Sequence, residues 1–284
     1  MPAAREGAAL AYDDANRTLV MFGGYGSNNA PLGDSWSWDG NHWSQLSPPT
    51  SPPPRSFGAL APDGLGNLIL FGGGAANADS PQGDTWKWTD CSWTQLHPAS
   101  SPRAWSALSS WDPRSRQLLL IQFSPDHSVT TWLWSGSTWS QLQPAHSPPW
   151  REDAGMAYDP ARGRVLVFGG FPQLGLTLTD TWAWTGADWM QLQPAHHPSE
   201  GIGNLGTTRD GLVWHEGDRQ TWLWNGSDWT KASPASEADP FDFQRLAYDA
   251  ASSQTVAVGG HSGFSGDIVW ECWIWNGTTW ARQS

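Results

Sequence analysis

The chain has 284 residues, a formal net charge of −12, only 15% charged residues, and 31 glycines with 22 prolines. That balance suits short strands joined by turns and argues against a helical protein. The negative charge, with Lys87 and Lys231 as the only lysines, excludes a nucleic-acid backbone as partner.

No apolar run reaches the length of a membrane span. "MPAAREGAAL" lacks the apolar core of an export signal, though a trimmed signal would read the same, so a soluble monomer of undetermined compartment is expected. Cys91 falls in a turn and Cys272 in a strand. Neither a disulfide framework nor a zinc site is indicated, and no metal or cofactor is expected.

In chain order, one pattern recurs. "DSWSWDGNHWSQL" begins at Asp34, "DTWKWTDCSWTQL" at Asp84, "TTWLWSGSTWSQL" at Thr130 and "DTWAWTGADWMQL" at Asp180. "QTWLWNGSDWTKA" follows at Gln220 and "ECWIWNGTTWARQ" at Glu271. The W-x-W-x4-W frame holds in all six copies and uses 18 of the 23 tryptophans. The fourth repeat predicts a strand in "REDAGMAYD", a turn at "PARG", and a strand "RVLVFGG" stopped by two glycines. The strands "DTWAW" and "WMQL" follow around a tight turn. Each unit is a four-stranded antiparallel meander, and six such sheets stacked radially bury each other's faces. The expected fold is an all-β, six-bladed propeller in one domain. Its blades run approximately over 1–48, 49–98, 99–144, 145–194, 195–234 and 235–284. The frame indoles are the filling between blades.

The diglycines Gly23-Gly24, Gly72-Gly73, Gly169-Gly170 and Gly259-Gly260, the "YD" pairs at Tyr12, Tyr158 and Tyr248, and the tryptophan frame resemble the kelch repeat, in its tryptophan-rich bacterial form. The resemblance implies a six-bladed propeller. It leaves function open among adaptors, sugar-acid mutarotases, a copper oxidase and specifier proteins. Many kelch propellers mix strands from both termini in one blade. Here a first strand opens the chain and a fourth strand from Trp280 closes it, so closure is expected to rest on side-chain packing.

Long loops follow the diglycines, which places the binding face on that side. Arg5, Arg55, Arg103 and Arg151 open the innermost strands of blades one to four, with Ile202 and Phe241 in blades five and six. They read either as a structural ring paired with carboxylates and carbonyls, or as an anion clamp. Blades three, five and six depart from the repeat. Ile121-Gln122 and His215-Glu216 replace diglycines, and the loops bring His127 and His261. These side chains suit acid-base or metal chemistry, and equally suit repeat decay. Trp105, Trp150 and Trp270, with Phe57, Phe241 and Phe243, offer aromatic platforms, or simply pack beneath loops. "GIGNLG" at Gly201 matches a dinucleotide fingerprint but leads into a strand, so it carries no cofactor.

Two functions are expected. The first is a binding module for a protein, glycan or small molecule, using Arg103, Arg151, Trp105, Trp150, Gln122, His127, His261, Trp270 and Phe243. The second is a mutarotase-like or other proton-transfer enzyme, with Glu152, Asp242, His215 or Glu216 as acid or base.

Overall fold

The computed structural model describes residues 1–27, 30–74, 82–102, 106–172, 176–199, 201–238, 245–262 and 268–283. The side chains of residues 106, 261, 262, 268 and 269 lie outside that description. Among the described residues there is no helix, and the strands form six four-stranded antiparallel sheets, each ordered as a simple meander.

Blade one comprises Ala9–Asp13, Thr18–Phe22, Ser35–Trp38 and Trp43–Leu46, and blade two Ala59–Pro62, Leu68–Phe71, Thr85–Thr89 and Ser92–Leu96. Blade three comprises Ser106–Asp112, Gln117–Phe123, Val129–Trp134 and Trp139–Leu142, and blade four Gly155–Asp159, Arg164–Phe168, Thr181–Trp184 and Trp189–Leu192. Blade five comprises Gly203–Thr207, Leu212–Glu216, Thr221–Trp224 and Trp229–Lys231, and blade six Arg245–Asp249, Gln254–Ser262, Ile268–Trp275 and Trp280–Arg282. The strand expected from Arg5 to Tyr12 is interrupted. Gly7 takes φ +59°, and Arg5–Glu6 pairs separately with Tyr25–Gly26.

The second strand of a regular blade is apolar on both faces because a blade packs on either side of it. In blade four Val165 and Val167 face blade three, while Leu166 and Phe168 face blade five, all at 0% exposure. The third tryptophan of each frame then locks one blade to the one before. Trp93 Nε1 donates to Ser35 Oγ at 3.0 Å and Trp139 to Thr85 Oγ1 at 3.0 Å. Trp189 donates to Thr131 Oγ1 at 3.0 Å, Trp229 to Thr181 at 3.1 Å and Trp280 to Thr221 at 2.9 Å. A buried indole N–H needs such an acceptor, and the hydroxyl immediately before the frame supplies it in blades one to five.

Linkers between blades are pinned as well. His146 meets the Asp188 carboxylate through its backbone N–H and ring nitrogen, both at 2.8 Å, and His196 meets Asp228 identically.

Among the described residues no blade mixes strands from the two ends of the chain. The seam is a packed cluster instead, with Leu10, Met21 and Trp36 of blade one against Val256, Val258 and Ile274 of blade six.

Candidate functional site

The arginines that open the inner strands are built into the fold. Arg5, Arg55 and Arg151 are 0–1% exposed. Each grips an aspartate two residues before the frame with both Nη atoms: Asp34 at 2.6 and 2.8 Å, Asp84 at 2.6 and 2.9 Å, Asp180 at 2.8 and 2.9 Å. Nη1 also donates to the carbonyl of the first diglycine residue, and Nε to the carbonyl two residues upstream. The same aspartates accept the indole N–H of Trp36, Trp86 and Trp182. Burial pushes the Asp34 and Asp84 carboxyls up, but the arginine and indole donors outweigh it and hold both below the ordinary range. Arg151 therefore brings a guanidinium to the cavity wall with four hydrogen bonds already made.

Strand register corrects the alignment of the irregular blades. The hydroxyl before each frame pairs with the last apolar residue of the second strand: Phe22 with Ser35, Phe71 with Thr85 and Phe168 with Thr181. In blade three that residue is Ile121, so Gln122-Phe123 replaces the diglycine. In blade five it is His215, so Glu216-Gly217 does. Nor is Ile202 the counterpart of the arginines. The carbonyl that accepts a diglycine N–H comes from Arg55 in blade two and from Gly201 in blade five.

Each expected site residue then has a definite place. His215 is 1% exposed, wedged between blades five and six with its ring edge-on to Trp280 at 5.4 Å. Glu216, 0% exposed, accepts from Ser199 Oγ at 3.1 Å and Trp222 Nε1 at 3.3 Å. It thus accepts the first frame indole of blade five, as the frame aspartate does in blades one, two and four. Gln122 is buried and bonds Ser124 Oγ at 2.9 Å.

Trp150 donates to the Ser124 carbonyl at 2.7 Å and packs 4.4 Å from the ring of the exposed His127. Trp270 lies edge-on to Trp43 at the seam. Glu152 is held by its backbone to Phe171, with its side chain exposed on the diglycine side. Arg103, Trp105, Phe241, Asp242 and Phe243, and the side chain of His261, lie outside the described residues. Among the described residues no three His, Cys, Asp or Glu side chains gather around a common point.

What does converge is the central cavity. About 170 Å³ lies among the inner strands of all six blades, on their diglycine-side half. Its wall includes Phe57, Leu108, Arg151, Asp153, Asn204 and Arg245. Phe57 and Asp153 stand two residues after Arg55 and Arg151 and adopt φ +55° and +50°, where blade one has Gly7 at +59°. Left-handed backbone at non-glycine residues is strained, and strain of this kind concentrates at sites of function. A Cβ on Gly7 would lie 2.8 Å from the Phe57 ring, so Phe57 leans over blade one and closes that side of the mouth.

Arg245 and Asn204 were missed in the sequence. On the rung that pairs with the last apolar residue of the second strand, blades one to four carry Ala9, Ala59, Leu108 and Gly155. Blades five and six carry Asn204 and Arg245. Burial makes the Arg245 guanidinium easier to deprotonate than usual, and the nearby charge of Asp153 opposes that effect. Aligning the "YD" pairs and reading three residues back exposes this break. A larger groove, about 650 Å³, runs on the turn side between blades five and six, beside the short turn Thr208–Gly211. Its charged lining residues are Arg209 and Asp210, on that turn.

Together these features define a six-bladed β-propeller with a polar cavity at its centre. Among the described residues no helix is long and apolar enough to cross a membrane. No family model matches the sequence, and no curated protein matches it. Among solved structures, that of YjhT is similar with a TM-score of 0.70 at 16% identity, over 100% of this chain and 99% of that one. The likeness at this identity is one of fold.

Proposed function

We propose that this is a ligand-binding propeller whose site is the diglycine-side half of the central channel, and that its ligand is a small molecule bearing an acid group. The observation that carries the reading is Arg245, a guanidinium in a channel wall where four other blades place Ala9, Ala59, Leu108 and Gly155. A planar, charged fork in an enclosed cavity suits a carboxylate. Asp153 would accept from a donor on the same ligand, with the exposed Glu152 next to it in the chain. A cavity of about 170 Å³ favours a small molecule over a protein segment, while leaving the rim to a larger partner.

A second reading, a proton-transfer enzyme of mutarotase type, draws support from Asp153. Its carboxylate stands at the cavity wall on strained backbone opposite a fixed cation.

Calorimetric titration with acetate, lactate and pyruvate tests the first reading. At least one should bind to the native protein and be lost in Arg245→Met, whereas equal binding in that variant would sink it.

A further inference from the structure

Blade five contains a buried nitrogen with no hydrogen-bond partner among the described residues. His215 occupies the position held by Phe22, Phe71 and Phe168 in blades one, two and four. It packs edge-on against Trp280 much as Phe71 packs against Trp139. One ring nitrogen is placed to donate to the Ala238 carbonyl, and Nε2 is left as an acceptor with no donor among the described residues. Burial pushes the imidazole pKa down to about 4, so at neutral pH the ring is uncharged and the Nε2 lone pair is available.

An unmet buried acceptor destabilises a fold, and phenylalanine would remove the penalty, as the sister blades do. Departures from local consistency of this kind belong to functional positions.

The surroundings give the nitrogen an address. Asn204 is the direct cross-strand partner of His215 and also lines the central cavity. Arg245 stands at the same level on the neighbouring blade. The polar layer thus runs from the cavity wall into the slot between blades five and six. Asp218 reaches this imidazole through its charge, but no three His, Cys, Asp or Glu side chains gather here among the described residues, so the ring does not make a metal site. Beside the Trp280 ring, a neutral donor is favoured over an ammonium group, which would lose its hydration.

We propose that the slot between blades five and six is an acceptor site for a small O–H donor, with His215 Nε2 as the acceptor and Asn204 as its link to the central cavity. The donor is either a resident water or a hydroxyl of a molecule lying in the cavity. The inference does not depend on the ligand carrying an acid group.

Histidine side-chain ¹⁵N spectra of the intact protein test it, with His215 assigned by its loss in His215→Phe. Nδ1 should carry the proton, and Nε2 should resonate upfield of a free lone pair, as a hydrogen-bonded acceptor does. Ethylene glycol should then move the Nε2 signal, and 1,2-dimethoxyethane, the same skeleton without O–H, should not. A hydrogen-bonded signal that neither compound moves identifies the resident water. Asn204→Ala should shift Nε2 toward the free value. A proton on Nε2, a free lone pair that neither compound moves, equal responses to both, or an unchanged signal in Asn204→Ala would each overturn the proposal.

Discussion

At the seam of the ring Trp43 of blade one faces Cys272 of blade six, where the other five junctions pair the same indole with a hydroxyl. A thiol is a weak acceptor. Trp43 is accordingly half-buried, whereas its five counterparts are 1% exposed. The burial that makes this thiol hard to ionise, with a pKa of about 11, also makes it unreactive. Replacing it by serine copies the Ser35–Trp93 junction. Cys272→Ser should stabilise the ring by about 0.5–1.5 kcal/mol, the usual net worth of one hydrogen bond. Urea denaturation measures it, and a loss of stability would show that the seam is limited by packing. In the native protein amide exchange should be fastest in blades one and six, because fewer hydrogen bonds close that junction.

Trp184 is 2% exposed between blades three and four, edge-tilted to Trp189 at 5.3 Å. Trp184→Ala should cost about 3–5 kcal/mol, since neighbouring blades are too rigid to refill the space of an indole. Any ligand affinity that survives in the folded fraction should be unchanged. A variant with native melting temperature and lost binding would move this tryptophan from the packing to the site.

Two arginines at one cavity should respond in opposite ways. Arg151 is fixed by Asp180 and two carbonyls, so Arg151→Met should destabilise by about 3–5 kcal/mol by orphaning a largely buried carboxylate. Arg245 sits where alanine, leucine or glycine suffices in four blades. Arg245→Met should leave the melting temperature nearly unchanged and weaken carboxylate binding at least tenfold. Thermal melts and titrations on the two variants separate the roles, and the reverse pattern would exchange them.

The architecture was legible because it repeats: a W-x-W-x4-W frame kept six times fixes strand order, blade number and the buried face. The seam was legible too, since neither terminal strand has a missing partner to find in the other. Site residues were harder. Counting back from each frame aligned His215-Glu216 with the diglycines, whereas cross-strand pairing shows His215 at the phenylalanine position and Glu216 at the first glycine. One residue of slip in a strand exchanges the faces of a sheet, which sent a buried imidazole to the surface in the sequence reading. Arg245 was passed over because it begins a strand in a blade without the arginine seen in blades one to four. Its meaning appears only when all six inner strands surround one cavity.

The burial of His215 has a consequence for acid stability. Its pKa falls from 6.5 to about 4 on folding, so between those values the unfolded chain binds a proton that the native state refuses. Stability attached to this residue is therefore fully present above pH 6.5 and is lost as pH falls toward 4. The full shift corresponds to a loss on the order of 3 kcal/mol. Asp188 and Asp228 do not confuse the measurement. Hydrogen bonds from His146 and His196 lower their pKa, so their contribution is present above the ordinary carboxylate range and fades only at more acidic pH. His215→Phe restores the residue type of blades one, two and four and places a ring against Trp280, as Phe168 lies against Trp229. Urea denaturation at pH 7 and pH 4.5 should show the native protein losing on the order of 2–3 kcal/mol between the two. His215→Phe should lose markedly less, because it has no imidazole to protonate. Equal pH slopes in the two proteins would mean that His215 takes up its proton in the native state as readily as in the unfolded chain.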